Sequence, residues 1–357
     1  MNLAQNIQVY VKTTGTCNLD CSHCFTSGSK GKNIFFDPDQ TFIFLERLVS
    51  TYNIKSMRLL FHGGEPMITP VPVVMDFYNK SRTLNTHVEY GIQTNLVYKL
   101  SKEKINFINT VFKTGIGTSW DPFIRFGSTN KKLKSHQERL WEENVKLLSS
   151  QNHSISLMVC LSKDLLDNYT PEVVIRYAIS LGINYIQFER ITLDGNTSLN
   201  PNILPTNNEV DQWLLEMYQV SKKNQFYKFI GNMFLNEIAT SFITASHIGN
   251  RCRNCEQHLI TINADGTLGG CPNSATDQTW GNIKEPIDFF LKSPARVTAI
   301  CHEKERNLSC FSCEVRYACN GDCYKLPWHG ETCPAPKSIL KLIHEENNFT
   351  YLENFII

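Results

Sequence analysis

The chain has 357 residues, 41% hydrophobic and 19% charged, with 35 Lys and Arg against 34 Asp and Glu for a formal net charge of +1. Such a composition excludes a disordered chain and a nucleic-acid binder working through a general basic field, and the length allows one large barrel with an appendage or two to three domains. Cysteine is the uneven count: thirteen in all, with Cys17, Cys21 and Cys24 in one knot, Cys160 alone and nine between Cys252 and Cys333, an odd and clustered set that points to metal rather than disulfides.

The first residues, Met1 to Lys12, lack a basic segment followed by a long apolar stretch, so no signal peptide is expected. No apolar run approaches the ~18 residues that span a membrane. The expectation is a cytoplasmic protein whose thiols stay reduced and free to bind metal, with neither nucleic acid nor membrane as a partner.

Short apolar runs rich in β-branched residues predict strands over Ile7–Lys12, Met57–Phe61, Val88–Gln93, Val111–Thr118, Ser154–Leu161 and Asn184–Glu189. Helical spacing fills the gaps at Pro38–Tyr52, Val71–Asn85, Leu100–Asn109, Ser135–Ser149 and Pro171–Leu181, several opening on Pro at or near the first helical position. Strand–helix alternation repeated six times implies parallel strands joined by right-handed crossovers. Six units fall short of the eight of a closed barrel, so an α/β fold with an open, partial barrel follows. Residues 192–208 read as a loop, and helices are predicted near Asn208–Lys223 and Asn232–Ala245. Beyond Gly249, Leu259–Ile262 and Thr267–Cys271 flank an Asp265-Gly266 turn and predict a hairpin. The remainder is short, Gly- and Pro-containing and Cys-bearing, and bound metal is expected to organise it. The division expected is 1–200 barrel, 201–248 helical bridge and 249–357 cysteine-rich domain.

The segment Cys17-Asn18-Leu19-Asp20-Cys21-Ser22-His23-Cys24 follows directly on the first strand, so it occupies the first strand-to-helix loop, at the catalytic face of such a barrel. Three thiolates there can hold three irons of a 4Fe–4S cluster, and with no fourth Cys nearby one iron stays open to a ligand. Phe61-His62-Gly63-Gly64-Glu65-Pro66 closes the second strand on the same face. Its glycines allow a close backbone approach, and Glu65 can bind an ammonium group.

With these two motifs the sequence resembles the radical S-adenosylmethionine (SAM) superfamily: Cys17, Cys21 and Cys24 match its Cys-x3-Cys-x2-Cys, and Gly63, Gly64, Glu65 and Pro66 match its Gly-Gly-Glu-Pro. The resemblance implies a partial (β/α)6 TIM-like barrel in which the methionine part of SAM chelates the open iron and reductive cleavage of SAM yields a 5′-deoxyadenosyl radical. It implies SAM contacts at Thr94 and Asn95 after the third strand, at Ser119 and Asp121 after the fourth, and at Met158 and Gln187 on the fifth and sixth, with Phe25 packed near the cluster. Each of the polar residues has a plainer role open to it, since Asn, Ser and Asp commonly cap the helices that follow strands. His23 reads as structural rather than catalytic.

The later cysteines run Cys252-x2-Cys255-x15-Cys271, then Cys310-x2-Cys313-x5-Cys319-x3-Cys323 and Cys333. This run resembles the SPASM extension of radical SAM enzymes, which implies two auxiliary 4Fe–4S clusters, one on Cys252, Cys255, Cys271 and Cys323 and the other on Cys310, Cys313, Cys319 and Cys333. Three clusters and SAM are then the cofactors expected. Taken alone, the Cys-x2-Cys pairs have ordinary zinc spacing, and a zinc- or cluster-bearing binding module without catalysis is the non-enzyme alternative. Cys160 reads as a packed strand residue and Cys301 as structural.

SPASM-bearing enzymes mostly modify peptides or proteins, so the resemblance implies an oxidoreductase acting on a ribosomally made precursor peptide, with an external flavodoxin- or ferredoxin-type electron donor. Cys24-Phe25-Thr26-Ser27-Gly28 and Ile34-Phe35-Phe36-Asp37 look most like the XYE and darobactin-type maturases, which join an aromatic ring to a side-chain β-carbon to form a cyclophane. Only 16 residues precede Cys17, so a leader peptide is expected to bind through a separate partner or an exposed edge strand. Asp121, Glu189 and Asp194 are the candidates for a base that takes the ring proton. Alternatives are an anaerobic sulfatase-maturase-type oxidation of Cys or Ser to formylglycine, and a thioether-forming maturase.

Overall fold

A computed structural model of the chain describes residues 3–26, 28–112, 115–126, 131–244, 253–272 and 279–357. Strands β1 (Asn6–Thr14), β2 (Ser56–Gly63), β3 (His87–Gln93), β4 (Ile116–Ser119), β5 (Ile155–Leu161) and β6 (Tyr185–Arg190) pair in chain order and are all parallel. Helices α1 (Pro38–Tyr52), α2 (Val71–Ser81), α3 (Lys102–Val111), α4 (Lys131–Ser150), α5 (Lys163–Asn168) and α6 (Pro171–Ser180) lie between and after them. The local chemistry sets their starts: Asp37 accepts from the amides of Asp39 and Gln40, Ser101 from Lys104 and Thr170 from Val173.

Each strand buries alternate residues. On β1, Val9 and Val11 are fully buried towards the helices, as are Leu59 and Phe61 on β2 and Leu157 and Val159 on β5. The intervening Tyr10, His62, Gln93, Ser119, Met158, Gln187 and Glu189 share the other face. That face is concave. In a flat sheet β1 and β6 would lie ~24 Å apart, five strand spacings, yet Lys12 on β1 and Asp194, just beyond β6, line one cavity. The sheet has rolled into a partial barrel, and the alternate polar residues line its lumen.

The next elements continue the barrel. Helix α7 (Asn207–Lys223) opens with a capping box between Thr206 and Glu209, β7 (Gly231–Asn232) pairs with β6, and Asn232 caps α8 (Met233–Ile243). After α9 (Cys255–His258) comes the hairpin β8 (Leu259–Ile262) and β9 (Thr267–Gly269), with β10 (Gly281–Asn282) beside it. Helices α10 (Pro294–Lys304), α11 (Arg316–Cys319), α12 (Lys337–Glu346) and α13 (Phe349–Leu352) complete the chain. Among the described residues no helix is long and apolar enough to cross a membrane.

Three expectations change. The strand predicted over 111–118 begins only at Ile116, because Phe107, Ile108 and Val111 form one buried stripe that carries α3 to Val111. The hairpin does not stand apart: β8 pairs in parallel with β1, Gln8 opposite Leu259 through Val11 opposite Ile262, so one sheet runs β10-β9-β8-β1-β2-β3-β4-β5-β6-β7. The C-terminal region also has apolar packing of its own. Ile339, Leu340 and Ile343 on α12, with Val315, Ala318, Phe290 and Leu352, belong to the same contiguous core as the barrel. The helical spacing of 339, 340 and 343 carried that signal. Ser338 on α12 donates from its amide and hydroxyl to Asp211 on α7, tying the two regions at 3.0 and 2.6 Å.

Ile339 has no exposed surface. Ile339→Ala is expected to cost ~2–5 kcal/mol in denaturant unfolding of the chain. A region organised by metal alone would show no such loss.

Candidate active site

The cysteine loop leaves β1 at Thr14 and lies against the end of β2. Gly64 donates to the Thr14 carbonyl and Glu65 to the Thr16 carbonyl, both at 2.9 Å. A Cβ on Gly64 would come within 1.9 Å of the Thr16 oxygen, and Gly63, at φ +140°, would place one 2.4 Å from the Thr14 oxygen. The two glycines thus permit a close approach of backbone to backbone. Glu65, expected to face an ammonium group, is 1% exposed and accepts from Met67 N (3.0 Å), Thr94 Oγ1 (2.7 Å) and Asn95 N (2.7 Å). Its carboxylate fastens the β2 and β3 loops together, and Pro66 begins a single helical turn behind it.

Asn95 reaches the cysteines directly. Its Nδ2 lies 3.6 Å from Cys17 Sγ and 2.8 Å from Asn18 Oδ1, while Asn18 Nδ2 donates to the Val97 carbonyl at 2.7 Å. On the other side, Asn196 donates from its backbone to the Cys24 carbonyl and from its side chain to the Cys21 carbonyl, at 2.8 and 2.9 Å. Gly195 permits this contact: at φ +57° its Cβ position lies 2.4 Å from the Cys24 oxygen. Burial pushes the Cys17 thiol up to about 11, with Glu65 adding to the rise, and the Cys21 thiol up to about 12. Such thiols stay neutral at pH 7 until a metal displaces the proton.

Lumen residues cluster around this loop. Phe25 lies 5.9 Å from the His62 ring, which lies 5.8 Å from Tyr10, and the Lys12 ammonium sits over Phe25 at 5.7 Å. Lys12 is 6% exposed, and burial lowers it to about 8. Gln93 donates to the Ser119 hydroxyl (3.2 Å) and Gln187 to Glu189 (3.1 Å), and Ser119, Met158 and Gln187 are aligned across β4, β5 and β6. Gln187 Oε1 is buried without a partner, an acceptor that faces the lumen.

Asp121 sits lower and is fully engaged. It is 1% exposed, accepts from Cys160 N (2.7 Å) and Arg125 Nε (2.9 Å), and lies 3.7 Å from His23 Nε2. His23, Asp121 and Cys160 gather within 4.8 Å, but the Arg125 guanidinium already supplies the cation. Burial lowers His23 to about 4, so it is neutral at pH 7. Asp121, Arg125 and His23 brace the first cysteine loop against β5, and this is where Cys160 packs. Of the other base candidates, Glu189 faces the lumen, while Asp194 pairs with Lys325 at 3.6 Å beside Lys12 and Cys271 in a cavity of about 250 Å³.

The later cysteines form two sets. Cys310, Cys313, Cys319 and Cys333 all line one small cavity. Cys271 lines one cavity with Lys12 of β1 and with Tyr324, the neighbour of Cys323, and Cys255 opens α9, so these three lie between the barrel lumen and the C-terminal region. Cys252 lies outside the described residues, and Cys301 is exposed on α10. A tetrahedral zinc with ~2.3 Å bonds holds its sulfurs ~3.8 Å apart. Among the described residues no three cysteine sulfurs come within 4.8 Å of one another. Four cysteines around one cavity make up a complete four-ligand set.

Comparison with known proteins bears on the architecture. No family model matches the chain. An uncharacterized protein of Methanocaldococcus jannaschii is 24% identical over 258 residues, 68% of this chain and 86% of that protein. Among solved structures, native anSMEcpe with bound AdoMet and the Cp18Cys peptide superposes with a TM-score of 0.75 at 16% identity, covering 97% of this chain and 98% of that one. Streptococcus suis SuiB bound to precursor peptide SuiA gives a TM-score of 0.63 at 15% identity over 89% and 72%. The chain has the radical SAM fold with a C-terminal extension.

The sequence reading named neither Lys12, Tyr10 and His62 nor Asn18, Arg125 and Asn196. The first three were signalled by polar residues at alternate positions of β1 and β2. The others act through long-range contacts or side-chain pairs, Asn18 on the Val97 carbonyl, Asn196 on the Cys21 carbonyl and Arg125 on the Asp121 carboxylate, that no spacing foretells.

Gly64→Ala is expected to abolish iron binding at the first loop while leaving the later cysteines loaded, read as a fractional loss of iron and a complete loss of SAM cleavage. Cys333→Ala should do the reverse, lowering iron while SAM cleavage persists.

Proposed function

We propose that the chain is a radical SAM enzyme that modifies a peptide. The observation that carries this reading is the loop of Cys17, Cys21 and Cys24, pinned by Gly64 and Asn196 at the end of a partial barrel whose lumen is lined by Asn95, Ser119, Met158 and Gln187. The three cysteines fit a cluster with one open iron, and the lumen beside them fits SAM. When bound, these groups supply a 5′-deoxyadenosyl radical. The chain contributes the enclosure. Glu65 and Asn95 hold the loop, Gln187 offers an acceptor, and Phe25, His62 and Tyr10 wall the lumen on the side of Lys12. Glu189 is the carboxylate best placed to receive a proton in the lumen.

The peptide substrate follows from the neighbours, since anSMEcpe and SuiB are both solved with peptides. Within that class we favour a ribosomally made precursor and an oxidative carbon–carbon cross-link of an aromatic ring to a side-chain β-carbon, supported by the wording of the first loop and by two further cysteine sets suited to accepting electrons. The near-complete overlap with anSMEcpe favours a second reading, oxidation of a Cys or Ser side chain.

Anaerobic purification should give a brown protein with ~12 irons that cleaves SAM on reduction. A colourless protein with two zincs would remove the enzyme reading. Co-expression with candidate precursor peptides, followed by mass measurement, separates the chemistries. A loss of two hydrogens that resists reduction and alkylation marks a cross-link, whereas conversion of a sulfatase-type peptide marks formylglycine formation.

A further inference from the structure

The loop between Cys319 and Cys323 carries one expected ligand of each later set, and its three intervening residues all have left-handed backbones. Asn320 stands at φ 51°, Gly321 at 84° and Asp322 at 51°. Conformations of this kind at non-glycine residues are strained and persist only when the surroundings over-determine them.

Three arginines supply that determination, one for each residue. Arg306 Nη2 donates to Asn320 Oδ1 at 2.7 Å, Arg253 Nη2 to the Gly321 carbonyl at 2.7 Å, and Arg190 to both oxygens of Asp322 at 2.6 and 2.9 Å. They come from separate parts of the chain: Arg190 ends β6, Arg253 precedes α9 and Arg306 follows α10. The same groups reach further. Arg190 also donates to the carbonyl of Pro334, next to Cys333, at 2.7 Å, and Asp322 Oδ1 accepts from Cys323 N at 2.6 Å. Arg253 also donates to the carbonyls of His302 and Glu305. Arg190 and Asp322 are both under a tenth exposed, so their charges are little screened by water.

We propose that Arg190, Arg253 and Arg306 form a clasp that holds the Asn320–Asp322 loop in register and, through their excess positive charge, raises the reduction potential of the iron–sulfur centres held by the flanking cysteines. The inference rests on the reading of those cysteines as cluster ligands. Three guanidinium groups face one carboxylate on this loop, Asp322, and one buried beside Arg253, Glu303, which leaves an excess of positive charge. A cationic surrounding favours the reduced state, which carries the extra negative charge. The arginines are positioning residues, acting through the backbone of the cysteines they flank. The same clasp joins the end of β6, where Arg190 directly follows the lumen-facing Glu189, to the cysteine sets.

The test is a potentiometric titration of the iron-loaded enzyme followed by electron paramagnetic resonance. Arg306→Gln should shift a potential of the later clusters downward, and Arg306→Lys, which restores the charge, should return it towards the original value. Asp322→Asn, which keeps the left-handed backbone and the acceptor for Cys323 N but removes the negative charge, should shift it upward. Opposite shifts for the Gln and Asn variants are the signature of charge. Unchanged potentials, or shifts in the same direction, with iron content retained, overturn the proposal. If Cys310→Ala and Cys271→Ala leave the iron content of the parent enzyme unchanged, the cluster reading itself fails, a result distinct from failure of the clasp.

Discussion

The site depends on one backbone contact. The end of β2 and the cysteine loop after β1 touch with no room for a side chain: the Gly64 Cβ position lies 1.9 Å from the Thr16 oxygen, and the amides of Gly64 and Glu65 close hydrogen bonds to Thr14 and Thr16. Parallel strands β1 and β2 deliver both segments to the same edge of the sheet. Everything that orders the loop is built outward from this seam. Glu65 passes it to β3 through Thr94 and Asn95, Asn95 reaches back to Cys17, and Asn196 closes the far side on Cys21 and Cys24. A loop that must present three thiols to one centre cannot be left to its own flexibility, because ordering each residue costs ~1–2 kcal/mol in backbone entropy. Here the scaffold has already met that cost.

Much of this arrangement was legible in the sequence. The strand–helix alternation placed the motifs at consecutive strand ends, and helix α1 is found over the residues read for it, because Asp37 and Pro38 are strong start signals. The chemistry of the motifs was legible as residue type and spacing. The use of the motif residues was not. Gly63 and Gly64, read as letting the backbone approach a ligand, also admit the end of β1 and the cysteine loop that follows it, and Glu65, read as a partner for an ammonium group, also ties two loops together. Sequence shows that a carboxylate is present at a strand end. Only the fold shows how many amides already point at it.

The C-terminal region was legible in the opposite sense. Its cysteine spacing was clear, and its apolar content was underread. Beside its nine cysteines, Ile339, Leu340 and Ile343 form an ordinary buried helical face. The hairpin turn was identified correctly, but its partner strand was not, because pairing β8 with β1 joins residues some 250 positions apart and no local pattern encodes it. The consequence is functional. Extending the barrel sheet through β8 carries Cys271, which follows β9, to the side of Lys12 and Tyr10.

The sheet therefore does two jobs with one set of hydrogen bonds. Its centre delivers the first cysteine loop to the lumen, and its β8 edge delivers a second cysteine set to the same lumen from the other side. The two are not held by cysteine chemistry alone, since Arg190 at the end of β6 and Asp211 on α7 bind Asp322 and Ser338 of the C-terminal region. Buried ion pairs contribute little net stability but strongly penalise any arrangement that leaves one member unpaired. A pair such as Arg190 with Asp322 thus selects one relative placement of barrel and cysteine-rich region more than it strengthens the fold.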